Sequence, residues 1–340
     1  MEPPWYRGTG EPLEASPELP LPVAERFTNP MDYLADDGLV DAVNVALHLG
    51  QPLLLTGQPG TGKTQLASSL ALELRCGEPL KFETKSTSVA RDLFYIYDTL
   101  ARFRAPRTIP GRTFIHWNAL GLAILYANPP ERVRHLLDPE QVHPARRRSV
   151  VLIDEIDKAP RDFPNDLLNE IEHLYFRIPE LSNETVKADK DMRPVLVLTS
   201  NSEKNLPEAF LRRCVFYYIP FPERKPKPQE GLPSGTSEAP PRRVYLEDVV
   251  RRRLGAALPD DGLLQLALDL LDSLRDPTLG LLKTPSTGEL LAWMLDLSQR
   301  RVEGNHLVER TLCALIKTVE DRGRAKSVVE AWVKKLQKKH

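Results

Sequence analysis

Residues 52–72 read Pro52-Leu53-Leu54-Leu55-Thr56, then Gly57-Gln58-Pro59-Gly60-Thr61-Gly62-Lys63-Thr64, then Gln65-Leu66-Ala67-Ser68-Ser69-Leu70-Ala71-Leu72. An apolar run of strand length, a glycine-rich turn and an amphipathic helical pattern follow one another. That order is the context in which Gly-x-x-x-x-Gly-Lys-Thr cradles phosphate. Gly57, Gly60 and Gly62 allow successive backbone N–H groups to turn inward with no Cβ in the way, and the helix start adds its positive dipole end. Gln58, Pro59 and Thr61 complete the loop. Lys63 is spaced to reach the β/γ-phosphates, and the Thr64 hydroxyl to hold Mg²⁺. The stretch predicts a nucleoside triphosphate site.

Outward from this loop, apolar strands alternate with helical patterns. Asp37–Leu49 suits a helix ended by Gly50, and Leu80–Thr84 a second strand. Val150-Val151-Leu152-Ile153 and Val195-Leu196-Val197-Leu198 are wholly apolar runs, as in strands buried on both faces, and Cys214–Ile219 is a further strand. The alternation predicts a parallel, doubly wound α/β sheet in three layers over residues 35–222. Residues 88–103 carry Leu93, Phe94, Ile96, Tyr97, Leu100 and Phe103 among charges and predict one or more helical segments. A helix is predicted over Asn165–Phe176 and another over Ala119–Tyr126. Residues 1–34 form a Pro-rich arm, with six prolines in residues 1–22. Residues 223–243 form a Pro-rich linker. From 244 to 340 the strand signals vanish and a small all-helical domain is predicted, helical around Leu263–Leu274, Leu290–Leu297 and His306–Val319.

Three further stretches carry chemistry. Asp154 and Glu155 end the Val150–Ile153 strand, where α/β sheets put their ligands. Asp154 is expected to support Mg²⁺ and Glu155 to activate the attacking water. Asn201, in Thr199-Ser200-Asn201, ends the next strand, and its amide either orients the water or closes an Asx turn. Arg212-Arg213 follows Leu206-Pro207-Glu208-Ala209-Phe210-Leu211, and a guanidinium there is either a phosphate clamp or a surface charge.

In order and spacing, Gly57–Thr64, Val150–Asp157, Thr199–Asn201 and Pro207–Arg213 resemble the AAA+ ATPases. Asp154-Glu155-Ile156-Asp157-Lys158-Ala159-Pro160 together with Leu206–Arg213 looks most like the MoxR branch. The resemblance implies Walker A at Gly57–Thr64, Walker B at Asp154 and Glu155, and sensor 1 at Asn201. It implies an arginine finger at Arg212 or Arg213 acting on a neighbouring subunit, hence a homo-oligomeric ring, usually a hexamer, with ATP and Mg²⁺ as cofactors. The helical domain then stands as the lid. Its second-sensor turn departs from the family: Lys283-Thr284-Pro285-Ser286-Thr287-Gly288-Glu289 has no arginine, leaving Lys283 to supply the charge. The branch also carries an insert, here within 85–120, whose Phe94, Tyr95, Tyr97, Phe103, Phe114 and Trp117 either contact a partner or form the core of an irregular subdomain. The family implies a remodeller of a protein client, such as a von Willebrand A domain protein, with metal insertion or bacterial defence as settings.

Composition bounds the alternatives. At 340 residues, 41% hydrophobic and 27% charged, the chain is ordinary for a soluble globular protein. Its formal net charge of −1 gives no global mark of a nucleic-acid binder. Arg146-Arg147-Arg148 and the Lys334–Lys339 run are short basic stretches read as solvated faces. No apolar run approaches the ~20 residues of a membrane span, and no signal pattern opens the chain, so a cytoplasmic protein is expected. Cys76, Cys214 and Cys313 have no metal-ligand or disulfide spacing. Two other classes remain open: a nucleic-acid-stimulated NTPase or translocase, and a nucleotide-dependent assembly switch with little turnover.

Overall fold

The computed structural model describes residues 6, 8–12, 14–138, 140, 142–202, 206–226, 241–258, 260–299 and 306–338. Most of the linker expected over 223–243, namely residues 227–240, lies outside them. Two compact units divide the chain, one built on Ala35–Phe221 and one on Val244–His340 with the N-terminal residues through Leu34.

In the first unit five parallel strands form one sheet: β1 (Leu53–Thr56), β2 (Leu80–Glu83), β5 (Val150–Asp154), β8 (Val195–Thr199) and β9 (Val215–Tyr218), in the order β2-β5-β8-β1-β9. The centre of the sheet is buried on both faces: every residue of β1 and all but the last of β5 are buried. The edge strands β2 and β9 alternate in exposure, as strands covered more fully on one face do. The helices Asp37–Leu49, Lys63–Glu73 and Ala119–Tyr126 flank the sheet, giving the AAA+ P-loop architecture. Leu54, Ile153, Leu198, Leu120, Ile124 and Phe210 belong to one continuous apolar core. Helix Ala119–Tyr126 lies against the backbone of Phe94, where a Cβ on Gly121 would come within 2.0 Å of the Phe94 carbonyl oxygen. Only glycine permits that approach.

Two segments differ from the sequence expectation. Residues 88–103 are not mainly helical. A 3₁₀ turn (Ala90–Leu93) leads into β3 (Tyr95–Tyr97), which pairs antiparallel with β4 (Ile115–Trp117), and only Thr99–Arg104 is helical. Tyr95 points inward and Ile96 outward, a period of two that outweighs the helical spacing once a partner strand is present. The helix expected over Asn165–Phe176 ends at His173. Leu174 takes a left-handed conformation (φ 49°), and Tyr175–Ile178 becomes β6, paired antiparallel with β7 (Glu184–Lys187). Of the insert aromatics, Phe94, Tyr95 and Phe114 are buried, and Tyr97 and Trp117 pack against the core. Phe103 is 86% exposed, on a six-residue helix beside exposed Leu100.

The second unit is helical: Leu246–Leu254, Asp261–Arg275, Thr287–Gln299, His306–Leu315 and Val319–Gln337. The run expected over His306–Val319 is interrupted at residues 316–318, and Thr318 caps the last helix through Asp321 N. Leu264, Leu268, Leu271, Trp293, Met294, Leu312, Val329 and Trp332 are buried. Trp293 and Trp332 lie 5.2 Å apart at their centroids, and the Trp332 indole donates to Leu266 O at 2.7 Å. The N-terminal residues join this unit at Phe27, which is buried and whose carbonyl accepts from Arg253 at 2.7 Å.

Candidate functional site

The P-loop leaves β1 at its C-terminal end. Gly57 has φ 145°, and a Cβ there would come within 2.5 Å of the Ile219 carbonyl; Gly60 and Gly62 follow at φ 80° and 89°. Gly62 opens helix Lys63–Glu73 without a side-chain cap. The first helical N–H groups have no intrahelical acceptor by geometry, so an eleven-residue helix presents its donors and dipole end to the loop.

Lys63 is 8% exposed, and its Nζ donates to Gly57 O (2.7 Å), Gln58 O (3.0 Å) and Asn201 Oδ1 (3.1 Å). Among the described residues no carboxylate lies within salt-bridge distance of this ammonium. Burial pulls its pKa below the usual lysine value, opposed at longer range by Asp157, Asp154 and Glu155. A buried cation held only by neutral dipoles fits an anionic group.

Asp154 sits at the end of β5 with its side chain 13% exposed. Its Oδ1 accepts from Thr64 Oγ1 at 3.0 Å and Thr199 Oγ1 at 2.5 Å, and its Oδ2 lies 3.3 Å from Lys81 Nζ. Thr64 and Asp154 thus offer adjacent hard oxygen donors, the chemistry Mg²⁺ takes. No group of three or more His, Cys, Asp or Glu that could hold a metal occurs among the described residues.

Glu155 occupies left-handed backbone (φ 56°, ψ 50°), uncommon for a side chain with a Cβ. Its N–H donates to Thr199 Oγ1 at 2.9 Å, and its Oε2 contacts Lys158 Nζ. That hydrogen bond raises the Lys158 pKa, foremost among several causes. The Asn201 N–H donates to Asp157 Oδ1 at 3.3 Å.

Gly57–Thr64, Asp154, Glu155 and Asn201 thus come together at one end of the sheet. Arg212 and Arg213 do not join them. Val215 pairs with Leu53 and its N–H donates to Pro52 O at 2.8 Å, so the arginines lie at the N-terminal edge of the sheet. Gly57 leaves the other end, and four residues of parallel strand separate the two, roughly 13 Å of backbone. Lys283 belongs to the helical unit, where its N–H donates to Asp321 Oδ2 at 3.0 Å. Sequence reasoning missed Lys81, Lys158 and the hydroxyl of Thr199. A hydroxyl closing an otherwise apolar buried strand was the signal for Thr199; the exposed lysines gave none.

The short basic run is absorbed by the α/β unit. Arg146 pairs with Asp189 at 2.6 Å, the Arg147 guanidinium lies 5.4 Å from the Tyr126 ring centre, and Arg148 donates to Asp191 O at 3.0 Å. No helix among the described residues is long and apolar enough to cross a membrane.

Residues 52–214 match the family model described as AAA domain (dynein-related subfamily). No curated protein matches the chain. Among solved structures, the Thermotoga maritima RuvB Holliday junction branch migration motor is similar at 15% identity, over 87% of this chain and 67% of that one, with a TM-score of 0.38. A closed state of Hsp104 with ATPγS and FITC-casein is similar at 15% identity and a TM-score of 0.40, over 74% of this chain and 43% of that one. The matched span takes in the P-loop, both acids of the β5 end, Asn201 and the arginine pair: residues 52–214 of this chain are similar to an AAA domain, and the chain carries the AAA+ P-loop fold.

Proposed function

We propose that this chain is a MoxR-type ATPase that hydrolyses ATP with Mg²⁺ in a homo-oligomeric ring, a hexamer, and couples turnover to remodelling a protein client. The observation that carries the reading is the split site. The P-loop, Asp154, Glu155 and Asn201 share one end of the sheet, while Arg212 and Arg213 stand at the other, out of reach of their own P-loop. An arginine so placed does not serve its own P-loop, and a ring would bring it to the P-loop of a second copy.

Mg–ATP, when bound, supplies the phosphoanhydride to be broken and a Lewis acid on its oxygens. The loop N–H groups and the Lys63 ammonium bind the phosphates, and Lys63 exchanges its loop carbonyls for them. Thr64 and Asp154 would hold the cation. Glu155 Oε2, released from Lys158, takes the proton of the attacking water, and Asn201 Oδ1 orients that water. An arginine of the 212–213 pair, from the neighbour, neutralises the charge that builds on the transferred group. Lys283 of the helical unit is the residue that the MoxR resemblance offers for a second sensor.

The MoxR resemblance supplies the further reading of a cytoplasmic protein whose client carries a von Willebrand A domain, in metal insertion or bacterial defence. Phe103 and Leu100, with Val89 and Ile96, are exposed apolar side chains of the insert available to such a client. A nucleic-acid-driven motor is less well supported, because Arg146, Arg147 and Arg148 are engaged within the fold.

The test is ATPase rate per subunit against protein concentration, with Glu155→Gln as control. A specific rate that climbs with concentration and vanishes in the variant supports a shared site. ATP binding without turnover at any concentration would sink the reading in favour of a switch. Stimulation by single-stranded or duplex DNA would favour the nucleic-acid motor.

A further inference from the structure

We propose that Glu172 is a positioning residue for Arg213, and that Arg213 rather than Arg212 is the arginine offered to the neighbouring subunit. The inference rests on the shared-site reading above and assigns its trans-acting group. The two arginines are adjacent in sequence but differ in how they are held. Arg213 Nε donates to Glu172 Oε2 at 3.1 Å, and its Nη1 donates to Ala209 O at 3.1 Å. Neither bond uses Nη2, so a guanidinium with five N–H groups keeps one face of its fork for a phosphate. Arg212 turns back on its own helix, with Nε and Nη2 both donating to Glu208 Oε1; both side chains are 76% exposed. That pair reaches no other element, so Arg212 is held only by an exposed carboxylate one turn back on its own chain, whereas Arg213 is also tied to Glu172 on a separate helix.

Glu172 is itself anchored. Its carbonyl accepts from Arg193 Nη2 at 2.9 Å. The Arg193 Nε would lie 3.4 Å from a Cβ on Gly50, so the guanidinium is wedged against the end of helix Asp37–Leu49. Burial holds the Arg193 pKa below the usual arginine value, with Glu172 acting against that shift. Glu172, Arg193 and Arg213 line one cavity with Gly50, Phe210 and Cys214, and Cys214 leads straight into β9. The carboxylate of Glu172 therefore ties Arg213 to the sheet edge through a residue whose own backbone is fixed. A charged donor helps a transition state most when it is oriented beforehand, because little reorganisation and side-chain entropy remain to be spent at the moment of reaction.

Steady-state ATPase of the full chain, above the concentration at which the specific rate saturates, tests this. Arg213→Ala should lower kcat by about 1,000-fold or more, the scale of a lost arginine finger, and by more than Arg212→Ala. Glu172→Ala should lower kcat about ten-fold with KM for ATP unchanged, since the nucleotide is held by the other end of the fold. Glu172→Asp should restore part of the loss. The double variant Glu172→Ala/Arg213→Ala should be no slower than Arg213→Ala alone, a coupling that a merely structural glutamate would not show. Glu172→Gln and Arg213→Lys give the same comparison should either alanine variant fail to fold. Additive losses, a raised KM, or a greater loss in Arg212→Ala than in Arg213→Ala would overturn the proposal. Mixing Glu155→Gln with Arg213→Ala subunits tests the parent reading separately. Regained turnover means that the arginine acts across subunits. No regain overturns the shared site even where the Glu172–Arg213 coupling stands.

Discussion

Thr199 Oγ1 stands 2.5 Å from Asp154 Oδ1, to which it donates, while accepting the Glu155 backbone N–H at 2.9 Å. One hydroxyl at the end of β8 thus orients the carboxylate proposed for Mg²⁺ and pins the strained backbone that carries the proposed base. The strands β5 and β8 are hydrogen-bonded neighbours, with Ile153 opposite Leu198, and this register delivers Thr199 to both acids.

Thr199→Val keeps the shape of the side chain and removes only the hydroxyl. The Glu155 N–H then loses its acceptor, at a cost of about 1–3 kcal/mol for a buried donor. Asp154 and Glu155 are free to drift, and kcat should fall about ten-fold, or ~1.4 kcal/mol in barrier. ATPase assays across a MgCl₂ titration check this, and an unchanged kcat at every Mg²⁺ concentration would show that Thr199 is not needed to hold the acids.

Lys63→Met separates binding from stability. Because burial depresses the Lys63 pKa, the charged form costs the folded state at every pH below that folded value, and the cost fades only as pH rises through it. Near neutral pH the nucleotide-free protein carries that cost. The methionine variant should therefore melt at the wild-type temperature or above, to within about 2 °C. It should also lose the upward shift that Mg–ATP gives the wild type by mass action. Thermal melts with and without Mg–ATP decide it, and a retained shift would remove Lys63 from the phosphate site.

Gly121→Ala sets two effects against each other. Alanine favours a helix interior over glycine by about 1 kcal/mol. The new Cβ would stand 2.0 Å from the Phe94 carbonyl oxygen and 2.8 Å from its carbon, and backbone cannot swing aside as a side chain can. Overpacking of this kind costs about 1–3 kcal/mol or more, so the clash outweighs the propensity gain. The α/β unit should unfold several degrees lower, as circular dichroism would record. An equal or higher melting temperature would mean that helix Ala119–Tyr126 moves off the Phe94 backbone freely.

The parallel sheet is legible in the sequence where strands are buried on both faces. Leu53–Thr56, Val150–Ile153 and Val195–Leu198 are apolar without interruption, a pattern too short for a helix of ordinary length. The P-loop and the acids of β5 are legible because backbone chemistry ties their residue types to their positions. Tyr95–Tyr97 and Tyr175–Ile178 are not, since their strand character depends on partners some twenty and ten residues away, Ile115–Trp117 and Glu184–Lys187. Apolar residues spaced three and four apart serve a helix equally well until such a partner is known. The distance of Arg212 and Arg213 from their own P-loop is invisible for a similar reason. It follows from the parallel pairing of β9 with β1, a long-range property of the sheet.

Asp321 tests the helical unit through pH. Its carboxylate is buried, accepting the backbone N–H groups of Leu282 (2.8 Å) and Lys283 (3.0 Å) beside the Thr318 cap. Desolvation pushes its pKa up, but the hydrogen bonds from Leu282, Lys283 and Thr318, with the Arg324 charge, more than offset this and hold it below the usual carboxylate value. A carboxylate with a depressed folded pKa contributes stability that is present above its unfolded value, near 3.9, and is lost as pH falls through the folded value. Asp321→Asn keeps the size but offers one acceptor oxygen where the carboxylate offers two. The variant should be less stable than wild type at neutral pH, with the gap narrowing only below about pH 4. Denaturant titrations followed by the fluorescence of Trp293 and Trp332, both in this unit, give the two stabilities at each pH. A gap that stays constant from pH 7 to pH 3 would mean that the Asp321 charge does not hold the loop carrying Lys283.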